Sequence, residues 1–238
     1  MAPRNFVVCS AGPENGGELL QFVVENICEV STLHKDLNLT KSDLRSLYGQ
    51  IIRRALLDNL SYYVMDTGTE KIVGCAIGSV WHREHGQNRL RPRPAQPKAK
   101  VYWKCEEMLM AEFWNLCPPT VDAVARTELF VITKEHREDK TLFEKLYGIY
   151  TDESYLEYQK VSGTVGVAIG TPGQLDFSRL GSMRLAEMKL GDFLIFAGQK
   201  SQNADPNPAK AVLYFNAGSD HKPIFPGTFV VKCQMSKI

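Results

Sequence analysis

The chain has 238 residues, of which 44% are hydrophobic and 23% are charged, and its formal net charge is +1. This composition can bury a large core, and we expect one domain spanning residues 1–238. A net charge this small provides no global field, so neither nucleic acid nor an acidic membrane surface is an expected partner. No apolar run reaches the roughly 18 residues that span a bilayer, and MAPRNFVVCS lacks a signal-peptide pattern. These features predict a cytoplasmic protein.

Six cysteines are scattered along the chain without a C-x-x-C pair or a Cys/His cluster at zinc spacing. Such a distribution is typical of reduced thiols in a cytosolic protein. We therefore expect no disulfide framework and no metal site.

Hydrophobic periodicity in the first half of the chain predicts a strand, two helices and a hairpin. Thr40 and Asp43 form a capping-box pattern at the start of the second helix, and residues 29–38 form a polar elbow between the helices. The predicted elements are a strand at 5–10, helices at 18–27 and 40–56, and hairpin strands at 60–66 and 71–81.

Residues 82–100 are polar, contain three prolines and carry a group of cations. This composition predicts a surface loop. The cations lie in one proline-containing segment without stacking aromatic residues, which disfavours nucleic-acid binding, although the loop could lean over an anionic ligand. They are Arg89, Arg91, Arg93, Lys98 and Lys100.

Residues 124–148 predict a strand that enters a helix through a charged turn, written AVARTELFVI, TKEHRED and KTLFEKLYG. The first turn of a helix presents unpaired N–H groups and the positive end of the helix dipole. An anion, most often a phosphate, is the natural ligand of such a turn.

The remaining segments extend a mixed sheet. We predict a helix at 101–116, strands at 161–169 and 192–198, a short helix at 182–188 and closing strands at 210–216 and 229–235. Together the elements predict an α/β fold, with a central mixed sheet of about seven strands flanked by four or five helices.

This order of elements resembles the GNAT acetyltransferase superfamily, and within it the arylalkylamine N-acetyltransferases of invertebrates. Three local matches carry the resemblance. They are FVVENICEVSTLHKDLN around the elbow, SMRLAEMKLGDF at 182–193, and the tail AKAVLYFNAGSDHKPIFPGTFVVKCQM. The resemblance implies an N-acetyltransferase that uses acetyl-coenzyme A to acetylate a small primary amine in a ternary complex.

The resemblance also implies a coenzyme site in the central segment. The family binds the pantetheine arm where two central strands part, which would be Leu129 to Ile132 and Val165 to Ile169 here, and its pyrophosphate turn would begin at Arg137. Charged residues such as Glu138 and Lys140 stand in place of the family's glycines, which let the backbone approach the phosphates. The implied coenzyme contacts are Phe130, Val131, Ile132, Arg137, Glu138, Asp139, Lys140, Thr141 and Leu142.

Three residues are candidates for proton transfer. Glu29 matches a catalytic glutamate of the family and could act through water if burial raised its pKa. His34 on the same elbow is the alternative base, because the ordinary pKa of histidine lies near neutrality. Ser182 is the candidate that would reprotonate coenzyme A, although a serine after a glycine also makes a good helix N-cap.

The changed phosphate turn leaves a second interpretation open. A protein of this fold could have lost transfer and could serve as a ligand-binding or protein-binding module. As a working enzyme it is expected to act as a monomer or a weak homodimer.

Overall fold

The structure is a computed structural model that describes residues 6–29, 31–88, 93–170, 173–174, 177–178, 181–199, 209–217 and 229–230. In these residues it contains eight strands and seven α-helices, numbered here in chain order. The strands are β1 (Phe6–Ser10), β2 (Tyr62–Asp66), β3 (Lys71–His82), β4 (Ala123–Ile132), β5 (Gly163–Ile169), β6 (Met183–Lys189), β7 (Lys210–Ala217) and β8 (Phe229–Val230). The helices are α1 (Gly16–Asn26), α2 (Thr32–Asp36), α3 (Lys41–Ala55), α4 (Pro97–Leu116), α5 (Lys140–Gly148), α6 (Glu153–Tyr158) and α7 (Leu190–Phe196).

The strands form one mixed sheet in the order β1-β2-β3-β4-β5-β7-β6-β8. Its neighbours run antiparallel except for β4 with β5 and β6 with β8. The predicted α/β class and mixed sheet are confirmed. The eighth strand is the two-residue β8, and α2 and α6 are short helices that the hydrophobic pattern alone did not reveal.

Helices cover the sheet on both faces. Helices α1, α3 and α4 enclose the larger apolar core against one face. On the opposite face α5 packs against β1, β2 and β3, where Leu142, Phe143 and Leu146 join the second core. The predicted capping box opens α3, because the Asp43 N–H donates to Thr40 Oγ1 at 3.2 Å and the Thr40 N–H donates to Asp43 Oδ2 at 2.9 Å.

Two predicted elements were wrong. Residues 183–189 form strand β6 instead of a helix, and 190–196 form helix α7 instead of a strand. The β6 segment pairs along its length with β7, and this tertiary pairing overrides its local helical pattern. In α7 the buried residues Leu190, Phe193 and Leu194 recur at helical spacing, a signal that the β-forming composition of DFLIF obscured.

The predicted loop at 82–100 is partly helical. Its end forms the first turn of α4, which begins at Pro97 because proline is well tolerated at the first helical position. Arg89 and Arg91 lie outside the described residues, as does most of the tail beyond 217, including Cys233. The five cysteines in the described ranges are free thiols. Over those same ranges, no helix has the length and apolar character needed to cross a membrane.

Arg83 connects the end of β3 to the end of α4. Its guanidinium donates to the main-chain oxygens of Trp114 at 3.2 Å and Val121 at 3.0 Å, and to those of Cys117 at 3.0 Å and Pro118 at 2.5 Å. The same group lies 4.8 Å from the centre of the Trp114 ring. The last carbonyls of a helix lack intrahelical partners, so Arg83 satisfies the helix-end oxygens of Trp114 and Cys117.

We expect Arg83→Ala to lower the free energy of unfolding by about 1–3 kcal/mol, because several carbonyls lose a charged donor at once. Urea denaturation measures this loss. Arg137→Ala is the matched control, since Arg137 donates to a single exposed carbonyl, and it should change stability by about 0.5 kcal/mol or less. Equal losses in the two variants would contradict the role given to Arg83.

Candidate functional site

The two parallel strands at the centre of the sheet are paired over three residues only, a stretch that we call the seam, and then separate. Strands β4 and β5 pair through Ala125 with Thr164, Arg126 with Val165, and Thr127 with Gly166. The two strands that the resemblance places at the centre of the sheet are thus parallel neighbours. Their pairing stops before residues 128–132 and 167–169, so the carboxyl halves of the strands diverge.

A β-bulge at Glu128 coincides with the point of separation. On the other side of β4, Ile77 pairs with Leu129 and Gly78 pairs with Thr127, so Glu128 is the extra residue. The bulge reverses the alternation of side chains. Before it, Ala125 faces the α5 core, whereas after it Phe130 faces that core and Leu129 faces the α4 core. Because a bulge bends its strand, it accounts for the divergence of β4 from β5.

The Glu128 carboxylate is fully buried in an ion-pair network. Arg54 of α3 donates to its Oε1, and the Ser79 hydroxyl donates to the same oxygen at 2.7 Å. Arg126 Nε lies 3.4 Å from Glu128 Oε2, and Arg126 Nη2 donates to Glu107 of α4 at 2.9 Å. These bonds compensate the desolvation of the charges and fix the bulge between α3 and α4.

A cleft of about 60 Å³ occupies the gap between the diverging strands. We call it the central cleft. This volume has room for several water-sized groups. It is lined by residues 127–130 of β4 and 167–169 of β5, by Ile27 at the end of α1 and Ser31 of the elbow, by Tyr102 and Glu106 of α4, and by Gly173 and Phe177.

The central cleft reaches both faces of the sheet. On the α4 side its wall holds Tyr102 and Glu106, and Glu106 is 7% exposed. Burial, with Glu106 as a smaller contribution, raises the pKa of Tyr102. On the α5 side lie Phe130 and Phe177, which pack edge-to-face around Tyr147 with ring centres 5.7 and 5.8 Å from it.

Gly166 makes room for one of these rings. A Cβ at this position would lie 2.7 Å from Phe177 Cζ and 3.2 Å from Thr127 Cβ. The sequence offered no reason to single out this glycine, because the contact joins segments distant in the chain.

The charged turn before α5 is closed by its own hydrogen bonds. The N–H groups of His136, Arg137 and Asp139 donate to main-chain oxygens at 133, 134 and 136, over 3.1, 3.4 and 3.0 Å. The Asp139 carboxylate accepts the Leu142 N–H at 3.1 Å and so caps α5. A carboxylate therefore lies at the helix end where the resemblance implies a phosphate, and the turn does not fit the coenzyme's diphosphate.

Two of the predicted site residues, Arg137 and Glu29, are in contact with each other. Arg137 Nη1 donates to the main-chain oxygen of Glu29 at 2.9 Å. The Glu29 side chain is 48% exposed and forms an ion pair with Lys35 at 3.3 Å. Glu29 does not line the central cleft, although Ile27 and Ser31 on either side of it do.

His34 lies inside the protein core. Its Nε2 is 2.5 Å from the Tyr48 hydroxyl, and its ring stacks on Tyr102 with centres 4.2 Å apart. Burial lowers the pKa of His34 to about 3, partly offset by a backbone hydrogen bond at Ser31. His34 is thus neutral at physiological pH and is separated from the central cleft by Tyr102.

Ser182 precedes β6 and lies next to Phe177, to whose main-chain oxygen its N–H donates at 3.2 Å. Its hydroxyl neighbours that of Tyr147. Burial raises the pKa of Tyr147, and the Ser182 hydroxyl opposes that shift. Ser182 is therefore placed behind the α5 wall of the central cleft. Among the implied coenzyme contacts, Phe130 lines the cleft, whereas Val131 and Ile132 are buried in the two cores.

Sequence reasoning missed Tyr102, Glu106 and Glu128. Tyr102 and Glu106 belong to a helix whose pattern indicated core packing, and their spacing of four residues, which places both on one helix face, was the available signal. Glu128 is a charged residue within an otherwise apolar strand, a pattern that could have identified the bulge. In the described segments, no group of three or more His, Cys, Asp or Glu side chains could hold a metal ion.

No protein-family model matches the chain. A search of curated proteins likewise finds no match. Solved structures do match it.

The chain is similar to a putative arylalkylamine N-acetyltransferase 7 from the mosquito Aedes aegypti, with a TM-score of 0.73 and 12% identity over 89% of this chain and 87% of that one. It is similar to the C-terminal condensation domain of Ebony, solved with β-alanyl-dopamine, with a TM-score of 0.72 and 12% identity over 90% and 100%. A third neighbour is arylalkylamine N-acetyltransferase 2 from Aedes aegypti, with a TM-score of 0.68 and 16% identity over 90% and 99%. The protein therefore has the fold of the GNAT acetyltransferases.

The buried His34 predicts a loss of stability in acid. Its pKa rises from about 3 in the folded protein to about 6.5 on unfolding, so the unfolded state binds an extra proton between these pH values. We expect the free energy of unfolding to fall by about 2 kcal/mol more between pH 7.5 and 5.0 in the wild type than in His34→Gln.

Urea denaturation at the two pH values measures the difference. Glutamine keeps a polar partner for Tyr48 but does not titrate. Parallel pH profiles for the two proteins would show that His34 is not neutral and buried in solution.

Proposed function

We propose that the protein is an N-acyltransferase that moves an acetyl group from a pantetheine thioester, acetyl-coenzyme A in the first instance, to a small primary amine. The observation that supports this proposal is the divergence of β4 and β5 after a three-residue seam, with a cleft that reaches both faces of the sheet. Such a gap can admit an acyl donor from one face and an amine from the other. Small arylalkylamines are the proposed acceptors, since two of the similar structures bear the names of enzymes that act on them.

The proposed donor side is the α5 side of the central cleft. Beyond the seam, the facing edges of residues 128–130 and 167–169 no longer pair with each other. An amide-containing arm can hydrogen-bond to such backbone groups, in the manner of an added strand. Phe130 and Phe177 provide apolar contacts along the same wall. This surface fits the pantetheine arm, in contrast to the turn before α5, which does not fit the diphosphate.

The proposed acceptor side is the α4 side, where Glu106 would receive the amine proton. Acyl transfer needs an uncharged amine held close to the thioester carbonyl and a group that takes its proton. Glu106 is the carboxylate of α4 that lines the cleft next to Tyr102. Glu128 also reaches the cleft, but its carboxylate is held by Arg54, Arg126 and Ser79, so we assign it to positioning the strand.

Glu29 stays a second proposed base. Its carboxylate is open to water and lies on the elbow between two residues that line the cleft, so it could act on an amine through a water chain. Ser182 stays the proposed donor of the proton that the departing thiolate needs. Its hydroxyl lies beside that of Tyr147, and its N–H donates to the main-chain oxygen of Phe177.

A binding module without transfer activity is the second candidate. The observation that favours it is the Asp139 carboxylate at the start of α5, because a turn that rejects a diphosphate weakens the case for coenzyme A as donor. The two candidates differ in whether the protein releases a free thiol from the acyl donor.

An assay of thiol release from acetyl-coenzyme A and from acetyl-pantetheine, with a panel of arylalkylamines, tests the proposal. We expect amine-dependent thiol release with at least one donor. A donor present at 100 times its dissociation constant should also add about 2.7 kcal/mol to the free energy of unfolding. Stabilisation without thiol release across the panel would favour the binding module, and neither effect with either donor would contradict the proposed function.

A matched pair of carboxylate variants distinguishes the proposed bases. Glu106→Gln preserves side-chain shape but cannot accept the proton, so we expect kcat to fall about 10²- to 10⁴-fold. Glu29→Gln should leave kcat within about threefold of the wild type if Glu106 is the base. Urea denaturation of both variants controls for loss of folded protein, and the reverse ranking of rates would assign the base to the elbow.

A further inference from the structure

We infer that this protein recognises its acyl donor through the pantetheine arm and not through the nucleotide diphosphate, so that nucleotide-free pantetheine thioesters serve it about as well as coenzyme A thioesters. The inference rests on the proposed function. It concerns which part of the donor the protein contacts, and it follows from four features of the turn between β4 and α5.

The turn has no excess of positive charge. Its charged side chains in residues 134–140 are three cations and three carboxylates, namely Lys134, Arg137 and Lys140 with Glu135, Glu138 and Asp139. A diphosphate carries at least two negative charges near neutrality, and a neutral turn provides no net attraction for it.

The helix end is occupied by a carboxylate of the protein. Asp139 caps α5 through the Leu142 N–H at 3.1 Å. A carboxylate at this position already benefits from the helix dipole, and a diphosphate would have to displace it or lie beside it. Repulsion between like charges opposes the second arrangement.

Several backbone donors of the turn already have acceptors within the protein. The N–H groups of His136, Arg137 and Asp139 bond to carbonyls within the turn. A phosphate cradle requires several such groups to point outward together. In this turn those three N–H groups point inward.

The guanidinium that the resemblance assigns to the phosphates has another role. Arg137 donates to the main-chain oxygen of Glu29 at 2.9 Å and thereby ties the turn to the elbow beside the central cleft. Of the two cations assigned to the phosphates, Lys140 is then the one that points to solvent.

The central cleft has the features that binding of a pantetheine arm requires. Strands β4 and β5 diverge, Phe130 and Phe177 line the gap, and Glu106 reaches it from the opposite face. In the transfer step the amine nitrogen bonds to the thioester carbonyl carbon and the carbon–sulfur bond breaks. The amine proton goes to Glu106, and the departing thiolate takes the hydroxyl proton of Ser182, the proposed donor. The proton on Glu106 then returns to Ser182 through solvent, which restores both groups. None of these events involves the nucleotide.

Calorimetric titration of the full chain with acetyl-coenzyme A and with acetyl-pantetheine tests the inference. We expect the two dissociation constants to agree within tenfold, and the kcat/KM values of the two donors to agree within the same factor. A preference for acetyl-coenzyme A greater than tenfold in either measurement would overturn the inference while leaving the proposed function intact. Binding of neither donor would overturn both.

Two sets of variants test whether the turn before α5 contributes to binding of the donor. Replacing Arg137 and Lys140 together by alanine should change the affinity for acetyl-coenzyme A by less than threefold, and a loss of tenfold or more would restore the turn as a diphosphate site. Asp139→Asn keeps a good N-cap but removes the charge, so it should tighten acetyl-coenzyme A at least threefold without affecting acetyl-pantetheine. Unchanged or weaker binding of acetyl-coenzyme A in Asp139→Asn would contradict the role assigned to that carboxylate.

Discussion

The buried carboxylate of Glu128 is the constraint on which the centre of this protein depends. It is the extra residue of a β-bulge, and two arginines and a serine hydroxyl hold it between α3 and the sheet. Breaking a buried pair of this kind typically costs 3–5 kcal/mol, so the bulge has a strongly preferred geometry. The direction in which β4 leaves β5, and with it the width of the central cleft, follows from this geometry.

Local patterns predicted much of the fold because they are set by local physics. The Thr40 capping box, the long amphipathic helices and the hairpin each depend on residues close together in the chain. The prediction failed where pairing partners are distant. The segment at 183–189 is a strand because β7 lies beside it, and no pattern within seven residues contains that information.

The candidate site was predicted only in outline for the same reason. The parting of two central strands followed from the resemblance, whereas the placement of Glu106 depends on how α4 packs across the sheet. His34 is the opposite case, because the sequence suggested it as a site residue and the structure places it in the core. Its type suggested a base, but its burial among Tyr48 and Tyr102 lowers its pKa to about 3, and burial is a tertiary property. The role of Asp139 as the N-cap of α5, in contrast, depends on neighbouring residues only and could have been predicted from the sequence, since aspartate is a preferred N-cap residue.

The short seam between β4 and β5 also has a consequence for the whole sheet. It divides the sheet into two four-stranded halves, β1 to β4 and β5 to β8. Three backbone pairs, the Arg126–Glu107 ion pair and the packing of α3 on α4 are among the contacts that join them. The cleft is lined by residues of β4 from one half and of β5 from the other, so a ligand in the gap would contact both halves of the sheet at once.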